Sequence, residues 1–538
     1  MMTILAQFYE LARCARKLLV GLAVAIVFAA LIPPTSAREL QPPPLSHTGQ
    51  PASPLRQNQA AVTTQSNNQL SPAIAAGSSG YLVAWAHETS ATNHDIYFRR
   101  LSSDGTPLGS PAGLATGVQF EGNPAVAYNP TGNEYLVVWE HAYSTSDHDI
   151  YARRISGSGA SLGGTFVVVN SGTNESNPVV TFNQEAGQYL VVYEYQAAGG
   201  NQDIYARRVG GDGTLPGSII PVATGSTDQS APATAASGNY LVVWQVAHPT
   251  SGEYDIYGQR VDAYGSLSGG SIAISTWQYD QLKPRLAFNA AAGEWLVVWE
   301  DHHWGSGAYR DIYGQRVNYD GTLDGGNFGI AGGNNRENPD VVYNSAGGEY
   351  MVVWEYALSA SDHDVYRRRV SANGSLLDSE TAVSRGSAFE GHPAVAADAN
   401  RAYVAVWEDG RNQLLNGLDL YAERLAPYLL SGGVYAGAVG DTGTPLAGVT
   451  VQLGCADNPD DFGNQISVTQ TGATGSFSLP SYHTCEYYQL RETDPTDYTS
   501  NGATSVDGVV VNSNQIRYAA PLAGKTLSGN RFFDAPPT

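Results

Sequence analysis

The chain repeats one acidic, aromatic and basic unit, Asp-Ile-Tyr-x-x-Arg or a close variant, beginning at Asp95, Asp149, Asp203, Asp255, Asp311, Asp364 and Asp419. Upstream of it a run such as YLVVWE ends in a carboxylate, at Glu140, Glu194, Glu300, Glu355 and Glu408. If the two segments pair as a hairpin, Trp139 falls opposite Ile150, Tyr135 opposite Arg154, and Glu140 beside Asp149. The tyrosine face then shelters the arginine by a cation–π contact. Neighbouring carboxylates repel unless a proton, a cation or N–H groups intervene. Two chemistries are therefore open: Ca²⁺ held by Glu140, Asp149 and loop carbonyls, or aspartates that accept loop N–H groups. Ala86 and Gln245 replace the glutamate in two copies, and no Asp-x-Asp-x-Asp-Gly loop occurs, which weighs against calcium.

Recurrence itself argues for scaffold, because an active site needs one constellation and a repeat needs one per copy. Departures from the repeat are the better ligand-binding candidates. The fifth copy carries His302, His303, Trp304, Tyr309 and Arg310, and the seventh carries Asp409 and Arg411. Trp304 and Tyr309 suit stacking on a sugar ring or a partner's side chain. His302 and His303 are adjacent, so on extended backbone they point apart and form no joint metal site. Another set, Gln69, Glu121, Glu175, Gln229, Gln281, Arg336 and Glu390, stands just before the first strand of each copy and suits a hydrated channel mouth. No G-x-S-x-G, no H-E-x-x-H and no cysteine nucleophile is present. An enzyme should gather irregular polar residues in one pocket over the channel, whereas a binding module spreads them around the rim.

The elements that must position these residues follow from the period. The aromatic run recurs at Tyr81, Tyr135, Tyr189, Tyr240, Trp295, Tyr350 and Tyr403, 51 to 55 residues apart. In the second copy PAVAYN, YLVVWE, DIYARRI and FVVVN read as four strands separated by Gly, Asn and Ser turns. One such sheet cannot bury two apolar faces, but seven packed around an axis can. The seventh copy lacks its fourth strand, and AAVTTQ before the first copy aligns with TAVSRG, so Ala61–Gln65 is expected to complete the last sheet. The expected fold is all-β, a seven-bladed β-propeller over residues 59–428 closed by its N-terminal strand. Its closure resembles that of WD-type propellers, although the WD dipeptide and the Asp-box of sialidases are absent. That architecture implies no activity by itself.

After Leu430 the repeat gives way to SGGVYAGAV, TPLAGVTVQLGC, GATGSFSLPS, YYQLRE and GKTLSGNRFFD. In this order they resemble the strands of bacterial SD-repeat B and Cna-type B domains, which implies a small transthyretin-like β-sandwich over residues 431–534. Some Cna-type domains carry a Lys–Asn cross-link from the first strand, but no lysine lies in 431–453. Cys455 and Cys485 remain as an even pair, expected either as one disulfide or as two buried thiols. Asp457, Asp460 and Asp461 form either a cation loop or a solvated turn.

At the N-terminus Arg13, Arg16 and Lys17 precede an apolar run from Leu18 to Ile32 and the small residues Ser36 and Ala37, the order of a secretory signal over residues 1–37. Residues 38–58, rich in Pro, Ser and Gln, read as a disordered spacer. The formal charge is −22, and removing three basic residues with Glu10 leaves about −24, which excludes nucleic-acid binding through a basic surface. The chain is thus expected to be secreted or cell-surface associated, monomeric, without a membrane span once mature, and without a cofactor beyond the calcium alternative. Its expected work is non-catalytic, the rim binding an extracellular protein or glycan and the sandwich serving as spacer. The alternative is a secreted carbohydrate-active hydrolase or lyase using rim carboxylates.

Overall fold

A computed structural model describes residues 59–536 except 198, 303–308, 334, 457, 482–484, 486, 520, 521, 523 and 524; the side chain of residue 464 is likewise outside it. The expected signal and spacer lie outside the described residues. Strands and the turns between them make up nearly all of the described residues, with one short helix at Gln413–Asn416, and no helix among them is long and apolar enough to cross a membrane.

Each repeat folds into antiparallel strands ordered as in the sequence. The first sheet runs Gln69–Gly77, Gly80–Ser90, Asn93–Leu101 and Pro107–Ala115. The inner strands Gln69–Gly77, Phe120–Asn129, Asn174–Asn183, Gln229–Ser237, Gln281–Asn289, Arg336–Asn344 and Glu390–Ala397 each pack on the next, and the last returns to the first. A single parallel bridge, Asn174 to His148, joins two neighbouring units into one eight-stranded sheet. The arrangement is that of a β-propeller.

Alternation along the second strand drives this packing. In Gly80–Ser90, Leu82 and Ala84 face Tyr135, Val137 and Trp139 of the following sheet, while Tyr81, Val83 and Trp85 face Val404, Val406 and Leu420 of the last. Both faces are buried, so every side chain from Tyr81 to Trp85 is sealed from water. Close approach also restricts the residue type: a Cβ on Gly77 would sit 2.1 Å from the Tyr135 hydroxyl.

The last sheet is completed by Ala60–Thr63, which pairs antiparallel with Asp419–Leu425 through Ala60 with Ala422 and Ala61 with Tyr421. Val62 enters the core between the last sheet and the first.

The expected hairpin register is corrected by one residue. Trp139 lies opposite Tyr151, Tyr135 opposite Ile155, and Glu140 opposite Ile150, and the same offset recurs in hairpins that carry no bulge, as in Tyr189 opposite Val209. The repeated arginine therefore does not rest on the expected tyrosine. It forms an ion pair with the residue before the aromatic, as in Arg154–Glu134 at 2.6 Å, Arg316–Glu294 at 3.1 Å and Arg369–Glu349 at 3.1 Å.

Beyond Tyr428 two sheets share one core. One orders Ser476–Ser481, Tyr428–Ala436, Thr526–Ala535 and Thr499–Thr504; the other orders Asn464–Gln470, Thr450–Ala456, Tyr487–Thr493, Gln515–Ala519 and Val509–Asn512. Leu430, Phe477 and Phe532 of the first meet Leu453, Leu490 and Ile516 of the second. Cys455 and Cys485 form a disulfide.

Ring closure predicts that a chain starting at residue 66 loses the outer strand of the last sheet. Burial of Val62 alone contributes about 2 kcal/mol, so differential scanning calorimetry should show a lower melting temperature than for the intact chain. An unchanged melting temperature would contradict the closure.

Candidate functional site

A channel of about 760 Å³ runs among the inner strands. Its lining begins with the residue before the proline of each inner strand: Ser71, Asn123, Asn177, Ala231, Lys283, Asn338 and His392. All of them have φ between 48° and 52°, a left-handed conformation that non-glycine residues seldom adopt and that bulges the strand at this point.

The carboxylate of YLVVWE holds that bulge from the neighbouring sheet. Glu408 accepts the Ser71 N–H at 2.7 Å, Glu194 that of Ala231 at 2.7 Å, Glu355 that of His392 at 2.9 Å, and Gln245 that of Lys283 at 2.9 Å. Glu140 and Glu300 reach the N–H groups of Asn177 and Asn338, each at 3.3 Å. These repeated glutamates thus clip one sheet to the next and stand directly behind the channel wall.

One sector of the wall departs from the repeat. Where other copies place small or apolar residues after the proline, Ala73, Ala125 and Val179 among them, the fifth and sixth place Arg285 and Asp340. Lys283, Asn338 and His392 stand beside them. The Lys283 ammonium donates to Asn338 Oδ1 at 2.8 Å and lies 3.3 Å from Glu300 Oε2; Asn338 Nδ2 donates to Glu355 at 2.9 Å. His392 Nδ1 is 3.0 Å from Glu408 Oε2. Half of the His392 side chain is exposed, and the residue lines the cavity. Burial pulls its pKa down, but the hydrogen bond and charge of Glu408, with Glu355 behind, outweigh this and raise it. Asp340 Oδ2 accepts the Val395 N–H at 2.8 Å, three residues beyond His392. Burial raises the Asp340 carboxyl above its ordinary range against the pull of Arg285.

The rim residues singled out from the sequence divide. His302 is buried, its Nε2 3.1 Å from Glu300 Oε1, and Arg310 ion-pairs with Glu337 and approaches the same Glu300 at 3.8 Å. Both therefore join the carboxylate that holds Lys283. Tyr309 is exposed, whereas His303 and Trp304 lie outside the described residues. Asp409 and Arg411 are not open ligand groups: Asp409 is fully buried between Trp407 Nε1 at 3.0 Å and Arg411, and Arg411 also donates to Gln59 and covers the Tyr421 ring at 3.8 Å.

The expected channel-mouth set is also placed elsewhere. Gln69, Glu121, Glu175, Gln229, Gln281, Arg336 and Glu390 are all buried between sheets, two positions before the residues that line the cavity. Gln69 accepts from Trp85 Nε1 at 2.8 Å, Gln281 donates to the Tyr279 carbonyl at 2.7 Å, and Arg336 pairs with Glu380 at 3.0 Å. Burial, reinforced by Asp95, Asp149 and Asp409 respectively, pushes Glu121 and Glu175 to about 7 and Glu390 to about 8.

Glu140 and Asp149 do not form a metal pair. Glu140 is level with Ile150 and Asp149 with His141, so the two side chains leave opposite faces of the sheet. The repeated aspartates lie against the loop that follows: Asp95, Asp203, Asp311 and Asp364 accept the N–H groups of Gly117, Gly225, Gly333 and Gly386 at 2.9 to 3.2 Å. Asp457 lies outside the described residues, Asp460 is exposed opposite Arg517, and Asp461 accepts the Gly463 N–H.

Sequence reasoning missed Lys283, Arg285, Asn338, Asp340 and His392. The signal was present, since the residues flanking each conserved-position proline vary from copy to copy while the proline does not.

Neither protein-family models nor curated sequences give a match to the chain. Solved structures similar to it include a protein of unknown function from Dyadobacter fermentans, 11% identical over 56% of this chain and 94% of that one, with a TM-score of 0.41. An α-L-arabinofuranosidase from Fusarium graminearum is 12% identical over 69% of this chain and 98% of its own, with a TM-score of 0.42. The NanB sialidase of Streptococcus pneumoniae is 12% identical over 72% of each chain, with a TM-score of 0.38. Several of the similar structures are glycosidases, which goes against the expectation of a non-catalytic binding protein.

The buried glutamates make stability depend on pH. Folding raises the pKa of Glu121, Glu175 and Glu390 from 4.5 to about 7 or 8, so the folded state keeps protons that the unfolded state releases. Their stabilisation is complete below the ordinary carboxylate range and is lost as pH rises through about 7 to 8. Melting temperature should fall by several degrees, in order of magnitude, between about pH 5 and pH 8.5, and Glu175→Gln with Glu390→Gln should flatten that slope. A slope unchanged in the double variant would contradict the assignment.

Proposed function

We propose that the chain is an exported carbohydrate-active hydrolase with its reaction centre in the channel sector formed by Lys283, Arg285, Asn338, Asp340 and His392. The supporting observation is the gathering of Lys283, Arg285, Asp340 and His392, which depart from the repeat, beside the repeat residue Asn338 at one side of one cavity, whereas the other copies have Ala73, Ala125, Val179, Ala233 and Ala394 after the proline. A cavity of this volume suits one or two sugar rings.

In this reading Asp340 is the proton donor to the leaving oxygen, because burial keeps its carboxyl protonated toward higher pH. His392, oriented by Glu408, takes the proton from the attacking water. Lys283 and Asn338 bind sugar hydroxyl or carboxylate groups and fix the ring between the two. Glu300 and Glu355 keep Lys283, Asn338 and His392 in place through the contacts described above.

The architecture around this centre is read as seven-bladed over residues 59–428. Residues 431–534 are assigned to a Cna-type or SD-repeat B-like β-sandwich that carries the propeller as a spacer, and residues 1–37 and 38–58 to the export signal and a linker. A glycan is the partner this assignment implies.

The test is release of reducing sugar from a panel of polysaccharides and aryl glycosides. Asp340→Asn and His392→Ala should each lower kcat on the order of 10²- to 10⁴-fold with little change in melting temperature, and activity should fall as pH rises through the pKa of Asp340. Turnover that survives both substitutions, or its absence across the whole panel, would overturn the proposal.

A further inference from the structure

The turn that follows the third strand of each copy carries a glycine at Gly105, Gly159, Gly213, Gly265, Gly321 and Gly374, with φ between 84° and 91°. Such a left-handed position suits glycine. Each of these turns lies over the repeated arginine of the copy before it: a Cβ on Gly159 would stand 2.9 Å from Arg100 Cδ, and one on Gly265 would stand 3.3 Å from Arg208 Nε. The residue preceding the glycine is small and polar at Asp104, Ser158, Asp212, Asp320 and Asn373. In the fourth copy it is Tyr264.

The arginine under this tyrosine departs from the repeat as well. Arg154, Arg316 and Arg369 pair with the glutamate before the aromatic. Arg100 and Arg260, which lack that glutamate, donate instead to the turn carbonyls of Ser158 and Tyr319, each at 3.3 Å. Arg208 does neither. It meets Gln188 in the glutamate position, through one hydrogen bond to Oε1 at 3.1 Å, and no carboxylate ion-pairs with it among the described residues. In a chain of formal charge −22 this cation stands uncompensated.

Both departures open on one cavity of about 270 Å³, lined by Arg208, Ile219, Ile220, Pro221, Tyr264 and Leu267 among others. Tyr264 is 79% exposed, and Ile219 and Leu267 are exposed beside it. An open tyrosine face attracts the C–H edges of a sugar ring, and a guanidinium fork binds a carboxylate through two parallel hydrogen bonds. The volume admits a single ring. A peptide has a poorer foothold, because strands add to long free edges. Here the outer strand Ile220–Ala223 has four residues, a register shift against its neighbour, and Pro221, which has no N–H to offer.

We propose that Tyr264 and Arg208 form a non-catalytic subsite for one carboxylate-bearing sugar of an acidic glycan, the ring on Tyr264 and the carboxylate on Arg208. The glycan rests on the function proposed above. The subsite itself stands on outer strands and turns, whereas the channel is lined by inner strands, so binding here and turnover there are read separately.

The full chain is titrated by calorimetry with an oligogalacturonate and with a sialylated oligosaccharide, beside a neutral oligosaccharide of equal length and an acidic peptide. An acidic sugar should bind, more weakly as NaCl is raised, and the one that binds identifies the source of the carboxylate. Gln188→Glu gives Arg208 the partner that Arg154 has, and Tyr264→Ser restores the residue of the second copy. Each should weaken binding at least about tenfold and leave the melting temperature and any turnover of a short aryl glycoside unchanged. Asp340→Asn should leave this binding intact, so loss of the hydrolase reading and loss of the subsite are told apart. Failure of both acidic sugars to bind, equal binding of the neutral one, preference for the peptide, or binding that either Gln188→Glu or Tyr264→Ser leaves unchanged would overturn the subsite.

Discussion

Everything in the propeller depends on a second strand that is apolar on both faces. A strand such as Tyr81–Trp85 cannot lie at a surface on either side, so each sheet needs two neighbours and the row of sheets has no stable end. The ring satisfies that demand for the last sheet by borrowing Ala60–Thr63 from the beginning of the array. Burial of this kind fixes the inner strands around an axis, and the channel is the space that they leave.

The same geometry explains why the most conspicuous residues are not the site. The glutamate of YLVVWE is spent on the left-handed bulge of the next inner strand, the arginine on the glutamate before the aromatic, and the aspartate on the loop that follows. These contacts recur between sheets without being made in every copy, since glutamate precedes the aromatic only at Glu134, Glu294 and Glu349 and Ala86 and Gln245 replace the glutamate of the run. The bulge in turn brings the residue before each proline to the channel wall. Scaffold contacts therefore decide which positions face the cavity, and variation at those positions decides what chemistry the cavity offers.

Much of this was legible in the sequence, and what was not has a physical cause. The period, the four runs per copy and the alignment of AAVTTQ with TAVSRG already implied that the ends of the array meet. The hairpin register was not legible, because composition does not fix where the turn between the strands lies, and an offset of one residue changes which side chains share a face. That shift separated Glu140 from Asp149 and moved the arginine from the tyrosine to a glutamate. Gln69 and its equivalents were misplaced for a related reason, since the left-handed residue two positions on turns the chain and takes their expected place at the channel. In the C-terminal sheets the cysteine pair could be read from its number.

The channel sector is the central claim, and a crystal structure with an oligosaccharide or a hydrolysis product bound tests it most directly. The account predicts a sugar ring within hydrogen-bond distance of Asp340 and His392, with Lys283 and Asn338 on its hydroxyl or carboxylate groups. A glycan seated on the outer rim beside Tyr309, with the channel free of sugar, would contradict it.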